Sequence, residues 1–300
     1  MDVVTLGECM GQLVPSDGRS VAEAEEFLLA QAGAESNVAL ALARYGHTVA
    51  WVSRLGADAL GHRIRRSLAA EGIDLTAVMT EPRGPTGLFI KDPSPGGSRV
   101  TYYRTGSAAS RMDETDAARA VELHPKLLHL SGITPALSNS CARCVDAAIR
   151  ATHSAGGAVS FDVNHRLALW PDTDTAARTL AEIAGRCDVV FVGLDEAATL
   201  WRTSTPDDVR AVLPGVAELV VKDGSKEAVS FRGTDRVSVP APRVQVVEPV
   251  GAGDAFAAGW IHAFLDGGSP EDRLRSGHSA AASALESVTD FAVRRPAVSR

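Results

Sequence analysis

The chain reads Glu248-Pro249-Val250-Gly251-Ala252-Gly253-Asp254-Ala255-Phe256 just before an amphipathic stretch. Two glycines and an alanine leave backbone N–H groups uncovered, so an anion can approach them closely. Phe256, Trp260 and Phe264 then recur every four residues, which predicts a helix of about 13 residues starting near Asp254. A glycine-lined turn feeding a helix N-terminus is a phosphate site. Asp254 does not suit a loop that only binds phosphate, because a carboxylate repels the anion. It suits a loop that also takes the proton of an attacking hydroxyl while the amides hold phosphoryl oxygens.

Two other phosphate loops are excluded. A Walker loop needs Gly-Lys followed by Ser or Thr, and none of Lys91, Lys126, Lys222 and Lys226 follows a glycine. A dinucleotide fingerprint needs a third glycine where Phe256 stands, and a βαβ unit after it for which little chain remains. A turn of small residues without chemistry stays open on spacing alone, since short glycine motifs are weak signals.

Composition narrows the partners. A net charge of −7 argues against nucleic acid or an anionic membrane surface, and 45% hydrophobic residues supply an ample core. No apolar run approaches the roughly 18 residues of a membrane span. The start, Met1-Asp2-Val3-Val4, reads as a first strand and lacks the basic region of a signal peptide. Four cysteines fit a reduced compartment, so the expected location is cytoplasmic. Cys141 and Cys144 form a C-x-x-C inside a helix expected over 138–151, with no second pair for zinc, and read as packing residues. The eight histidines show no metal-ligand spacing.

The run Val250–Phe256 resembles the C-terminal signature of the ribokinase-like, or PfkB, carbohydrate kinases. The resemblance implies Asp254 as catalytic base and the amides of Gly251, Ala252 and Gly253 as an anion hole. It extends along the chain. Ala32-Gly33-Ala34-Glu35-Ser36-Asn37 leads into a helix stopped by Gly46. By themselves these residues fit either a backbone cradle for a small polar ligand or tight helix–sheet packing. Gly46 and Gly56 follow at the family's N-terminal spacing, and Gly-Ala-Glu-x-Asn is similar to the form in kinases of 2-keto-3-deoxygluconate. Gly33, Ala34 and Asn37 are thus implied substrate residues.

Thr86–Lys91 and Arg99–Arg104 read as a hairpin, with prolines and glycines at its turn. The family builds such strands into a lid over the sugar. Tyr102 and Arg104 share one strand face, and arginine suits a carboxylate because its fork donates two parallel hydrogen bonds. The run Tyr102-Tyr103-Arg104-x-Gly106 resembles the ketodeoxygluconate kinase lid.

Polar residues massed after a parallel strand lie where open α/β sheets bind ligands. Asp162-Val163-Asn164-His165-Arg166 follows one such strand, and the resemblance directs Arg166 to substrate and phosphate and Asn164 to the nucleotide. After the next strand, Gly193 replaces the family's asparagine, which leaves Glu196 as the candidate for magnesium; a helix N-terminal acid is the alternative. Lys222-Asp223-Gly224 and then Glu227 stand where the family binds nucleotide, with Glu227 in place of a glycine. His278 stands where an asparagine lies near adenine, and Asp290 is a last candidate substrate contact.

The alternation of strands and helices predicts a largely parallel sheet flanked by helices. The expected architecture is a ribokinase-like three-layer α/β sandwich with a small β-sheet lid, one domain over 1–300, the lid drawn from about 8–32 and 85–105. The expected reaction is phosphoryl transfer from ATP, with Mg2+, to the 6-hydroxyl of 2-keto-3-deoxygluconate. The helix N-terminus is expected to keep Asp254 ionised and a weak base. A monovalent cation stays open, and the edge of the lid invites pairing between subunits, so a homo-oligomer is expected. The alternatives are a relative acting on fructose, ribose or a deoxygluconate derivative, and a non-catalytic sensor of nucleotide or sugar acid.

Overall fold

A computed structural model describes residues 1–94, 98–244, 246 and 250–286. Asp290 lies outside the described residues. In chain order the strands are β1 (Val3–Leu6), β2 (Met10–Pro15), β3 (Phe27–Ala32), β4 (Val49–Val52), β5 (Arg54–Gly56), β6 (Met79–Glu81), β7 (Leu88–Asp92) and β8 (Arg99–Tyr103). They continue with β9 (Leu127–Ser131), β10 (Ala158–Asp162), β11 (Val189–Gly193), β12 (Glu218–Asp223), β13 (Glu227–Arg232) and β14 (Asp235–Pro240).

The main sheet has the order β14-β13-β12-β11-β10-β9-β1-β4. From β12 to β4 the pairs are parallel, while β13 and β14 add an antiparallel edge. Every residue of β1, β4, β9 and β11 is buried, as expected of parallel strands covered on both faces. Strand alternation divides them between two cores. Val3, Val49, Leu127 and Phe191 pack with Trp260 on one face. Val4, Ala50, Leu128 and Val190 pack with Val145 and Leu180 on the other. The helices Ala34–Arg44, Ala252–Leu265 and Pro270–Leu285 cover the first face; Asn139–Ser154 and Thr173–Ala184 cover the second. This is the expected three-layer α/β sandwich. Trp260 meets Phe191 edge-on at 5.3 Å and is fully buried, so its truncation to alanine costs about 3–5 kcal/mol.

Caps set several helix limits. The helix Ala59–Ala70 begins after Asp58, which accepts the Gly61 N–H at 2.8 Å. The helix expected over 138–151 runs Asn139–Ser154, with Ser138 as its cap. Within it Cys141 and Cys144 are fully buried in the core, and burial pushes the Cys141 thiol up to about 11.

A smaller sheet has the order β3-β2-β7-β8. It is antiparallel at both ends and parallel where β2 meets β7. Met10, Ala32 and Phe89 form its own small core, with Val100 packed against it. In the main sheet, β1 has β4 on one side and β9 on the other, so the strand order reverses there. Open α/β sheets bind ligands beyond the carboxyl ends of strands at such a point.

Candidate active site

A cavity of about 370 Å³ lies between the carboxyl end of the main sheet and the smaller sheet. Met10, Phe89, Val100 and Tyr102 form one wall; Asp162, Asn164, Glu196, Lys222 and Asp254 form the other. Gly33 and Ala34 also line it, at the start of the helix Ala34–Arg44. A side chain at Gly33 would come within 2.0 Å of the Glu8 carbonyl oxygen, so only glycine lets these segments meet.

The helix Ala252–Leu265 starts two residues earlier than the sequence predicts. Gly251 caps it with φ 89°, a left-handed conformation that favours glycine. No side chain caps this end, so its first amides remain open to an anion. Gly251 and Gly253 line the cavity, with Ala252 between them as the first helical residue.

Asp254 stands in the first helical turn, facing two buried amides. Asn37 Nδ2 donates to its Oδ2 at 2.8 Å, and Asn164 Nδ2 to its Oδ1 at 3.4 Å. Asn164 reaches it from a left-handed backbone, φ 38°. Asn164, expected to face the nucleotide, lines the cavity and also donates to the carboxylate. The carbonyl oxygens Oδ1 of Asn37 and Asn164 are buried without a hydrogen-bond partner. Burial pushes the Asp254 carboxyl up to about 7; the Asn37 hydrogen bond and the charges of Arg166 and Lys222 only partly oppose it. This corrects the expectation of a weak, permanently ionised base: desolvation outweighs the helix terminus.

Beside it, Lys222 Nζ lies 2.9 Å from Asp162 Oδ2, while Asp162 Oδ1 accepts the Asn164 N–H at 3.1 Å. Burial works to lower the Lys222 pKa, but the charges of Asp162, Glu196 and Asp254 carry it above its ordinary value. Glu196 begins the helix Leu194–Trp201 and accepts N–H bonds from Gly193 at 2.9 Å and His165 at 3.1 Å. The metal candidate thus has the helix-capping role. Burial first, and then the charge of Asp162, raises its pKa. Arg166 Nη1 lies 3.8 Å from Glu196, and its side chain is 47% exposed, free to turn to a ligand.

On the other wall Arg104 lies just beyond β8 and is ion-paired with Glu8. Glu8 is buried and also accepts from the Ser107 hydroxyl. The Arg104 guanidinium sits 5.6 Å from the Tyr102 ring centroid, and its Nε is buried without a hydrogen-bond partner. Glu35 lies deeper, accepting from Ser131 Oγ at 2.7 Å and Thr134 Oγ1 at 2.8 Å, and burial raises its pKa. Glu8 carries little signal in the sequence beyond being a polar residue two positions after the first parallel strand.

Gly224, Glu227 and His278 do not line this cavity. Gly224 is in the β12–β13 turn with φ 51°, and Glu227 pairs with Asp223 and Pro240 across the antiparallel edge. His278 is buried, its Nε2 3.0 Å from the Val239 carbonyl and its ring edge-on to Phe256 at 5.3 Å.

Comparison with known proteins meets this geometry from the outside. The pfkB family of carbohydrate kinases matches residues 1–291. The 2-dehydro-3-deoxygluconokinase of Bacillus subtilis (strain 168) is 36% identical over 296 residues, covering 97% of this chain and 91% of that protein. The crystal structure of a PfkB protein from Polaromonas sp. JS666 is 35% identical with a TM-score of 0.88, covering 96% of this chain and 97% of that one. A fructokinase with bound ATP from Xylella fastidiosa is 26% identical with a TM-score of 0.82, covering 95% and 92%. A match along nearly the whole chain, together with the helix-borne aspartate over open amides, has one conclusion: the chain belongs to the pfkB family of carbohydrate kinases.

Proposed function

We propose that the protein transfers the γ-phosphoryl group of ATP to the 6-hydroxyl of 2-keto-3-deoxygluconate or a close sugar acid. The observation that carries this reading is Asp254, held between two buried amides at an open helix N-terminus with its pKa raised to about 7. A carboxylate that titrates near neutrality can take the hydroxyl proton as the oxygen attacks. The amides of Gly251, Ala252 and Gly253 would steady charge on the phosphoryl oxygens. Lys222 and Arg166 supply positive charge beside them. The unpartnered Oδ1 atoms of Asn37 and Asn164 await donors, which a polyol supplies.

Sugar acids are favoured by Arg104 on the opposite wall, since its buried Nε lacks a hydrogen-bond partner and suits a carboxylate. The ATP in the Xylella fructokinase supports a nucleoside triphosphate as donor. The cavity carboxylates fit magnesium only through water and phosphate. Asp162 is engaged by Lys222, Glu196 by backbone amides and Asp254 by asparagines. Glu196 is the one we place nearest the ion. Magnesium supplies neutralisation of the triphosphate charge.

A second reading, a neutral ketose as acceptor, is favoured by the Glu8–Arg104 pair, which a neutral sugar would leave intact. The experiment is a coupled ADP-release assay with ATP and magnesium across ketodeoxygluconate, ketodeoxygalactonate, fructose and ribose. Highest kcat/KM with a sugar acid is the expected result. Preference for fructose or ribose would move the assignment to the ketose kinases, and ligand-induced stabilisation without ADP would end it.

A further inference from the structure

Folding brings together three groups whose sequence spacing gave no sign of a site: His47, His262 and Asp266. One ligand atom of each lies within 4.8 Å of the other two. His47 Nε2 is 2.9 Å from His262 Nδ1, and His262 Nδ1 is 3.5 Å from Asp266 Oδ2. Zinc held tetrahedrally by nitrogen and oxygen at about 2.0–2.1 Å keeps neighbouring ligand atoms about 3.3 Å apart. These two separations bracket that spacing, and the third pair, His47 with Asp266, lies within 4.8 Å.

The three groups are held by rigid backbone. His262 and Asp266 are one turn apart at the end of the helix Ala252–Leu265. His47 follows Gly46, whose φ of 93° ends the helix Ala34–Arg44, and its N–H donates to the Leu42 carbonyl at 3.1 Å. Tyr45 stacks on the His262 ring at 4.4 Å, within 4° of parallel, and so fixes its plane. The two imidazoles are inclined at 62°. Asp266 is 61% exposed and leaves an entry path.

We propose that His47, His262 and Asp266 form a binding site for a zinc-class divalent transition ion, with water as the fourth ligand. Two imidazoles and one carboxylate select such an ion over magnesium or calcium, which prefer oxygen. The proton now shared between the rings moves to the far nitrogen of its own ring, so both remain neutral on binding. The site has a structural consequence. The helices Ala34–Arg44 and Ala252–Leu265 meet near their starts through Asn37 and Asp254 and near their ends through His47, just past the first helix, and His262, in the last turn of the second. An ion at the second junction clamps the pair that holds Asp254.

The test uses the untagged, chelator-treated full chain without nucleotide. Titrated Co2+ should give intense visible absorption at one equivalent per chain, displaced by Zn2+. Zn2+ at a hundredfold excess over its Kd should raise Tm by about 4 °C. His262→Ala and His47→Ala should abolish both signals. His153→Ala, at the separate His153–Asp188 pair, should leave both unchanged. If an imidazole variant does not fold, Asp266→Ala at the exposed helix end decides: it must weaken Co2+ binding and shrink the Tm shift. No absorption in the wild type, or signals that persist in these variants, overturns the site.

Discussion

The two walls of the cavity are built on different principles. The main-sheet wall is a continuous polar network. Asp162, Asn164, Glu196 and Lys222 lie at or just past the ends of parallel strands or at helix starts, and each is tied to another or to a backbone amide. Burial there shifts charge states, with Asp254 drawn up to about 7. The smaller-sheet wall is mostly apolar and aromatic, and the charge of Arg104 on it is opposed by its ion pair with Glu8. The first wall has groups with displaced pKa values, which proton and phosphoryl transfer need. The second offers shape and one adjustable cation, which suits choice of substrate. On this reading chemistry is fixed by the sandwich and specificity by the smaller sheet.

The largest expected effect breaks the first wall. Asp254→Asn should lower kcat by about 10³-fold or more while ATP affinity changes little, read by ADP release and nucleotide titration. In the wild type kcat/KM should rise with pH through about 7, because the base must be unprotonated; the variant should lose that limb. Near-normal kcat in the variant would move the chemistry off this wall.

The second wall should respond in KM. Arg104→Ala should raise KM for ketodeoxygluconate about 10- to 100-fold, with a smaller rise for fructose. Equal rises would detach Arg104 from the substrate carboxylate. Glu8→Gln sharpens the same point. It keeps an acceptor for Ser107 but removes the charge opposed to Arg104. KM for the sugar acid should then fall by about two- to fivefold at unchanged kcat. A rise would mean that Glu8 chiefly positions the guanidinium.

The main-sheet wall was also the more legible one. Buried parallel strands announce themselves as short apolar runs such as Val189–Val192, and the polar residues after them fall at the binding end by topology alone. Gly251 and Asp254 were legible because a loop that must expose amides and hold a carboxylate tolerates few residue types. The partners were not legible. That Asn164 turns to Asp254 depends on a left-handed residue, which the sequence does not reveal for an asparagine. Glu8 and Arg104 are separated by 96 positions, and nothing local pairs them. The basicity of Asp254 was misread because a helix terminus shows in the sequence, whereas desolvation arises only when Asn37, Asn164 and the neighbouring walls close around it.

The smallest effect tests that desolvation directly, in stability. Asp254 has a folded-state pKa above its unfolded value, so its ionised form is the disfavoured one in the fold. Its penalty is absent below about pH 4, grows as pH rises, and is complete above about 7. The rise to about 7 sets a ceiling of about 4 kcal/mol, but the carboxylate borders the cavity and water recovers much of this, leaving about 1 kcal/mol. Asn at this position carries no such penalty and still accepts the Asn37 hydrogen bond. Asp254→Asn should therefore melt about 2 °C above wild type at pH 8, with the gap closing by pH 4. A gap of the same size at both pH values would trace the effect to packing instead of ionisation. The contrast between the two walls would then lose its physical basis.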